Sequence, residues 1–142
     1  SIPYGVTRIG DNAFRNCTSL FYADIPGSVT SIGSGAFRDC LNFQSVSIPS
    51  SLTAIPEECF YNCDGLSDVE IPASITSIGN SAFSGCNGLY IVTVMSETPP
   101  TLGTNVFAGT NSEIKFYVPS NSVNDYKSSP GWSTYGNKIY PM

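Results

Sequence analysis

The chain has 142 residues, 41% of them hydrophobic and only 12% charged. That is about one ordinary domain with enough apolar material for a core, and it is not a disordered acidic tail. It contains no histidine, and six Lys plus Arg against eleven Asp plus Glu leave a formal net charge of −5. This removes the commonest general base and zinc ligand and makes nucleic acid and anionic membranes poor partners.

The opening Ser1-Ile2-Pro3 has neither the basic start nor the apolar stretch of a signal peptide. No apolar run approaches the roughly 18–20 residues of a membrane span. Without an initiator Met, the chain reads as an excised piece or a processed product.

An internal repeat dominates the sequence. Ile-Pro occurs at Ile2-Pro3, Ile25-Pro26, Ile48-Pro49 and Ile71-Pro72, in steps of 23 residues. The rest of the unit follows in register. After an aliphatic residue and Thr come Ile9, Ile32, Ile55 and Ile78. A small residue then precedes Phe14, Phe37, Phe60 and Phe83, followed by Cys17, Cys40, Cys63 and Cys86. Leu20, Phe43, Leu66 and Leu89 come next, then Ala23, Val46, Val69 and Val92. Units therefore start near residues 2, 25, 48 and 71. A fifth, degenerate unit starts near Val94, with Leu102, Phe107 and Phe116 one residue out of step and Thr110 in place of Cys. Such decay is expected near the end of a solenoid.

Each unit ends in alternating residues, as in Val46-Ser47-Ile48, which predicts short strands at 20–25, 43–48, 66–71 and 89–94, and another near 114–118. Proline ends the first three, at Pro26, Pro49 and Pro72, and the last, at Pro119, since it cannot donate to a further ladder. Successive copies are expected to pair in parallel. The Val-Thr-x-Ile stretch predicts a second short strand or an extended run. Phe and Cys three apart in Ala-Phe-x-x-Cys predict a helical turn. One coil cannot bury its own apolar face, but stacked coils can. At a strand spacing of roughly 4.8 Å, five coils make a stack of about 20–25 Å.

The repeat resembles the BspA-like leucine-rich repeats, found on surface proteins of anaerobic bacteria and some protozoa. Leu-x-x-Val-x-Ile-Pro stands where such repeats carry their concave strand, and Ile-Gly-x-x-Ala-Phe-x-x-Cys is the hallmark of the subclass. The resemblance covers residues 2–118. It implies a right-handed, leucine-rich-repeat-like solenoid over residues 1–118, with parallel short strands and short helical turns. A C-terminal cap follows at 119–142, whose Tyr117-Val118-Pro119, Val123, Tyr126-Lys127, Trp132 and Tyr140-Pro141-Met142 resemble the cap of such proteins in gut bacteroidetes. The resemblance further implies an extracellular or cell-surface setting.

Within the tail, Ser120 reads as a helix N-cap, 122–128 as a short helix, and Pro130-Gly131 as its end. Trp132, Tyr135, Ile139 and Tyr140 are expected to cover the last coil's apolar edge. The alternative, an aromatic carbohydrate platform, is less economical, because a solenoid needs a cap for solubility. The Cys ladder reads as free buried thiols acting as small hydrophobes, with Cys59 at the Ala position. A pairwise disulfide would break the repeat geometry. Cys59-x-x-x-Cys63 without a third ligand makes a poor zinc site, so no metal or cofactor is expected.

No catalytic group is expected either. Asp68 and Glu70 alternate on one strand about 7 Å apart, but read as a solvated acidic patch rather than a glycosidase pair. The face best placed to bind is the outward side of the strands: Tyr22 and Asp24, Ser45 and Ser47, Asp68 and Glu70, Ile91 and Thr93, with Lys115 and Tyr117 beyond. The expected function is non-enzymatic recognition or adhesion, with a host or other-cell surface or extracellular-matrix protein as partner. The alternative is a structural spacer, and a carbohydrate-active enzyme is a remote third. The first unit has no coil before it, so self-association through residues 2–23 is also expected.

Overall fold

Two series of short strands alternate along the chain, one from each extended stretch of the repeat. In the computed structural model, which describes residues 1–142, they are β1 (Arg8–Ile9), β2 (Tyr22–Asp24), β3 (Ser31–Ile32), β4 (Ser45–Ser47), β5 (Ala54–Ile55), β6 (Asp68–Ile71), β7 (Ser77–Ile78), β8 (Ile91–Val94), β9 (Thr101–Leu102) and β10 (Lys115–Val118). The even-numbered strands are the centres of the predicted segments. The odd-numbered ones are the second strand, each two residues long. Every pairing is parallel and offset by the repeat, as in Ala23 opposite Val46 and Val69 opposite Val92. The chain is a solenoid.

The Ala-Phe-x-x-Cys segment forms short turns rather than a continuous helix. The amides of Arg38 and Cys40 bond back three residues, to Gly35 and Phe37. The amides between them, Phe37 and Asp39, instead reach the carbonyls of Cys59 and Tyr61 in the next coil, at 2.9 and 2.8 Å. A continuous helix bonds its interior amides back along its own length; here alternate amides bond the neighbouring coil. This zigzag needs left-handed backbone twice per coil. Asn12, Gly35, Glu58, Ser81 and Asn105 supply one position, and Asn16, Asp39, Asn62, Gly85 and Gly109 the other, with φ between 55 and 77°. Glycine, Asn and Asp tolerate that region best, and they fill eight of these ten sites.

Side chains stack as the backbone does. Phe14, Phe37, Phe60, Phe83 and Phe107 form a ladder with centroids 5.2, 5.5, 5.2 and 5.6 Å apart and planes within 13° of parallel. Phe43, at a Leu position, lies 5.3 Å from Phe37 and 6.3 Å from Phe60. The thiols of Cys40, Cys63 and Cys86 donate to the carbonyls of Phe14, Phe37 and Phe60 in the preceding coil, at 3.0, 3.1 and 3.0 Å. All five cysteines are free, and Cys59 is fully buried at the small-residue position. Burial pushes the Cys40 thiol from 9.0 up to about 11 and raises Cys59 as well.

The strand ladders are interrupted. Strands β2 and β4 form one sheet, and β6, β8 and β10 belong to another; likewise β1 and β3 are separate from β5, β7 and β9. Both breaks fall between the units 25–47 and 48–70. For the odd-numbered series the cause is Pro56. At this position Gly33, Gly79 and Gly103 donate to Ile9, Ile55 and Ile78 at 2.7, 2.8 and 2.9 Å. Glycine is required there by close approach. A Cβ would sit 2.6 Å from the Gly10 carbonyl carbon at Gly33, 2.5 Å from the Glu57 amide nitrogen at Gly79, and 2.7 Å from that of Asn80 at Gly103. Pro56 lacks the N–H and carries a ring where no Cβ fits, so this ladder cannot close.

The tail packs on the last coil. Residues Ser120–Ser122 form a 3-10 turn, followed by α1 (Val123–Ser128), a second 3-10 segment over Trp132–Lys138, and β11 (Ile139–Pro141), which pairs in parallel with β10. Ser120 is not an N-cap: it lies inside the first turn, and neither helix start has a side-chain cap bond. The helix stops at Ser128 because Ser129, before Pro130, is extended. Trp132 is fully buried, edge-on to Phe116 at 5.6 Å and 6.0 Å from the end of the phenylalanine ladder at Phe107. Its indole N–H donates to the Pro100 carbonyl at 2.8 Å. Tyr126, one of the residues that carry the resemblance to a cap, is also fully buried and donates its hydroxyl to the Ser96 carbonyl at 2.6 Å. Tyr140, expected in the cap, stays 40% exposed, because alternation along β11 puts Ile139 inward and Tyr140 outward.

Two outcomes follow from this packing. Gly79→Ala should lower unfolding stability by about 1–3 kcal/mol through overpacking, while Gly10→Ala, with nothing within 4 Å of its Cβ, should stay within about 0.5 kcal/mol. Equal urea midpoints for the two variants would contradict the close-approach account. The second outcome concerns pH. The unfolded chain releases a Cys proton near 9.0, while folded Cys40 holds its proton to about 11. The unfolded state thus binds fewer protons in that window, so this contribution is complete below pH 9 and is lost as pH rises toward 11. Urea midpoints measured from pH 7 to 10.5 should be flat at first and then fall; a flat profile throughout would contradict burial of the thiol.

Candidate functional site

Alternation along each even-numbered strand fixes which side chains leave the core. In β2, Ala23 is buried between exposed Tyr22 and Asp24; in β6, Val69 is buried between exposed Asp68 and Glu70. The parallel register then sets these residues in two columns. Tyr22 lies beside Ser45, and Asp24 beside Ser47. Asp68 lies beside Ile91, which lies beside Lys115; Glu70, Thr93, Tyr117 and Tyr140 follow one another in the second column.

The structure therefore places all eight expected residues on one side of the strands, in two groups. Tyr22, Asp24, Ser45 and Ser47 stand on the β2–β4 sheet, and Asp68, Glu70, Ile91 and Thr93 on the larger one. Ile91 and Thr93 are half-buried, unlike the other six. The Ser67 hydroxyl donates to Asp68 at 3.0 Å. Tyr140 was missed as a member of this face. Its ring lies 5.9 Å from that of Tyr117, and the Lys115 ammonium sits 5.9 Å from its centroid. The face thus runs from Tyr22 and Asp24 through serines to Asp68 and Glu70, and ends in a cationic, aromatic corner.

A second polar cluster, on the turn side, was also missed. The Arg38 guanidinium pairs with Glu58, lies 3.4 Å from Asp39, and covers the Tyr61 ring at 4.6 Å. Asp39 accepts from the Asn62 amide at 3.0 Å and faces Arg15 at 3.8 Å. The available signal was positional: Arg15 and Arg38 are one repeat apart, as are Asp39 and Asn62. The cluster joins three successive units.

The first unit is more open than its copies. Val6, Phe14, Cys17 and Leu20 are half-buried, whereas Val29, Phe37, Cys40 and Phe43 are fully buried. A cleft lined by Ile2, Phe14, Leu20, Tyr22 and Phe37 opens at this edge. No three Cys, Asp or Glu side chains converge to hold a metal ion, and no helix is long and apolar enough to cross a membrane.

Known proteins share this architecture. The chain is similar to a leucine-rich cell surface protein from Faecalibacterium prausnitzii A2-165, with 31% identity, a TM-score of 0.75, and coverage of 94% of this chain and 33% of that one. It is similar to a leucine-rich repeat protein of T. pallidum, with 29% identity, a TM-score of 0.73, and coverage of 84% and 55%. The pneumococcal vaccine antigen PcpA shares the fold at 18% identity and a TM-score of 0.69, over 98% of this chain and 38% of that one. The chain thus spans about a third to a half of the solved proteins it resembles. No curated protein matches it. The BspA-type leucine-rich repeat region matches residues 1–126 with six copies, against the five units counted from the Ile-Pro period. The chain belongs to the BspA-type leucine-rich repeat family.

Proposed function

We propose that this chain is a non-enzymatic recognition module of a bacterial cell-surface or secreted protein, and that it binds a host or other-cell surface or extracellular-matrix protein through its strand face. One observation carries the reading: a uniform core supports a face that changes from unit to unit. In one column Tyr22, Ser45, Asp68, Ile91 and Lys115 succeed one another over Ala23, Val46, Val69, Val92 and Phe116. Within each of the two sheets the strand backbones carry the pairing, so the pairing does not depend on these side chains. Tyr22, 62% exposed, is the anchor such a surface would use. Likeness to a leucine-rich cell surface protein supports the surface setting. Asp68 and Glu70 stand on the open face as part of this surface.

The test is a binding screen of the folded chain against matrix proteins, mucins and glycans. Saturable binding should weaken at least about ten-fold in Tyr22→Ala, and in the double variant Asp68→Ser with Glu70→Ser. A spacer would show no binding at all, and a glycosidase would turn over a glycan and stop with Glu70→Gln; either result replaces this reading.

The open first unit favours a second, weaker association. The cleft over Phe14 and Leu20 is an apolar edge that a second copy can cover. Sedimentation should show concentration-dependent association that Phe14→Ser abolishes; a clean monomer at millimolar concentration would exclude it.

A further inference from the structure

The coil boundary at Ser47–Ile48 differs from every other boundary in the stack. Elsewhere both strand series bond across. Thr30 donates to Thr7, Thr76 to Thr53 and Thr101 to Thr76, at 2.9, 2.8 and 2.9 Å. Gln44 donates to Phe21, Tyr90 to Ser67 and Lys115 to Tyr90, at 2.7, 3.0 and 2.7 Å. The corresponding donors here, Thr53 toward Thr30 and Ser67 toward Gln44, make no such bond, and Pro56 has no N–H to give Ile32.

The turn side, by contrast, crosses intact. Gly35, Phe37 and Asp39 donate to Glu57, Cys59 and Tyr61 at 3.0, 2.9 and 2.8 Å. The Arg38–Glu58 pair and the Asn62–Asp39 bond cross at the same edge. The turn edge is therefore fastened by backbone bonds, whereas neither strand series has a backbone bond across the boundary. Only the Ser51 hydroxyl, donating to the Val29 carbonyl at 2.6 Å, crosses beside them, which is the layout of a hinge.

We infer that the boundary between the units 25–47 and 48–70 is a built-in joint. Residues 2–47 move as one body against the rest about the turn edge, and the strand face bends between Ser47 and Glu70. Pro56 maintains it, because a glycine there would close the odd-numbered ladder as Gly33 and Gly79 do. The consequence is mechanical: Tyr22, Asp24, Ser45 and Ser47 swing relative to Asp68 and Glu70 without any coil unfolding. The joint exists whether or not the face binds a partner.

Native-state amide exchange by NMR on the whole chain tests it. Thr53 and Ser67 should exchange at least a hundred-fold faster than Thr76 and Tyr90. Ladder amides in 22–47 should share one opening rate at least ten-fold above those in 69–94, with a step at the boundary. Pro56→Gly should raise Thr53 protection at least ten-fold and shrink the step. Protection that grades smoothly from residue 1, or a Thr53 amide as slow as Thr76 in the unaltered chain, would overturn the joint. Should Pro56→Gly fail to fold, Glu58→Gln probes the fastened edge: Gly35, Phe37 and Asp39 should exchange several-fold faster while Phe83 and Gly85 do not change. Equal acceleration of all five amides would contradict a local hinge.

Discussion

Close approach of one coil to the next is the constraint from which the other features follow. Parallel strands must come within about 4.8 Å to bond, and the whole 23-residue unit must then lie flat enough for its copy to repeat the contact at every point. This dictates glycine where a Cβ would strike the preceding backbone, as at Gly33, Gly79 and Gly103. It dictates left-handed residues where alternate amides turn outward to the next coil. It also places equivalent side chains directly over one another, so Phe stacks on Phe and the thiols of Cys40, Cys63 and Cys86 meet the carbonyl of the Phe in the coil before.

Stacking of this kind makes each coil depend on its two neighbours, and the ends depend on something else. At the C-terminal end the parallel phenylalanine ladder is closed by edge-on contacts from Phe116 and Tyr135 and a tilted one from Trp132. That change of geometry suits a boundary, because an edge-on ring leaves no parallel face on which a further ring would stack. Trp132 and Tyr126 also tie the 96–100 segment to the cap through its carbonyls. In the first unit Phe14 and Leu20 are half-buried.

Surface and core obey different rules in this architecture. The inward residues are held to a narrow set by the stacking contacts, while the outward residues of the even-numbered strands are exposed or half-buried. Variation from serine to aspartate to lysine in one column therefore costs the fold little. The same freedom does not extend to the turn edge. There Arg38 is engaged with Glu58, Asp39 and Tyr61, and single exposed ion pairs contribute little unless they form such a network.

Much of this was legible in the sequence. The 23-residue period fixes the solenoid, the alternation fixes the strands and their outward side chains, and the one-per-unit cysteines point to a ladder of thiols rather than to disulfides. Those properties depend on spacing, and spacing is a property of the chain. The tertiary structure decided what depends on neighbours. Phe and Cys three apart point to a short turn, but only the stack shows the intervening amides bonding the next coil. Tyr140 looks like cap material until β11 adds to the sheet and turns it outward, and Tyr126 is held by the Trp132 ring and the carbonyl of Ser96. Pro56 is visible in the sequence as a departure from glycine, but only the packed coils show that the departure interrupts a ladder. A residue's own period is local information; which backbone it approaches, and how closely, is settled by the stack.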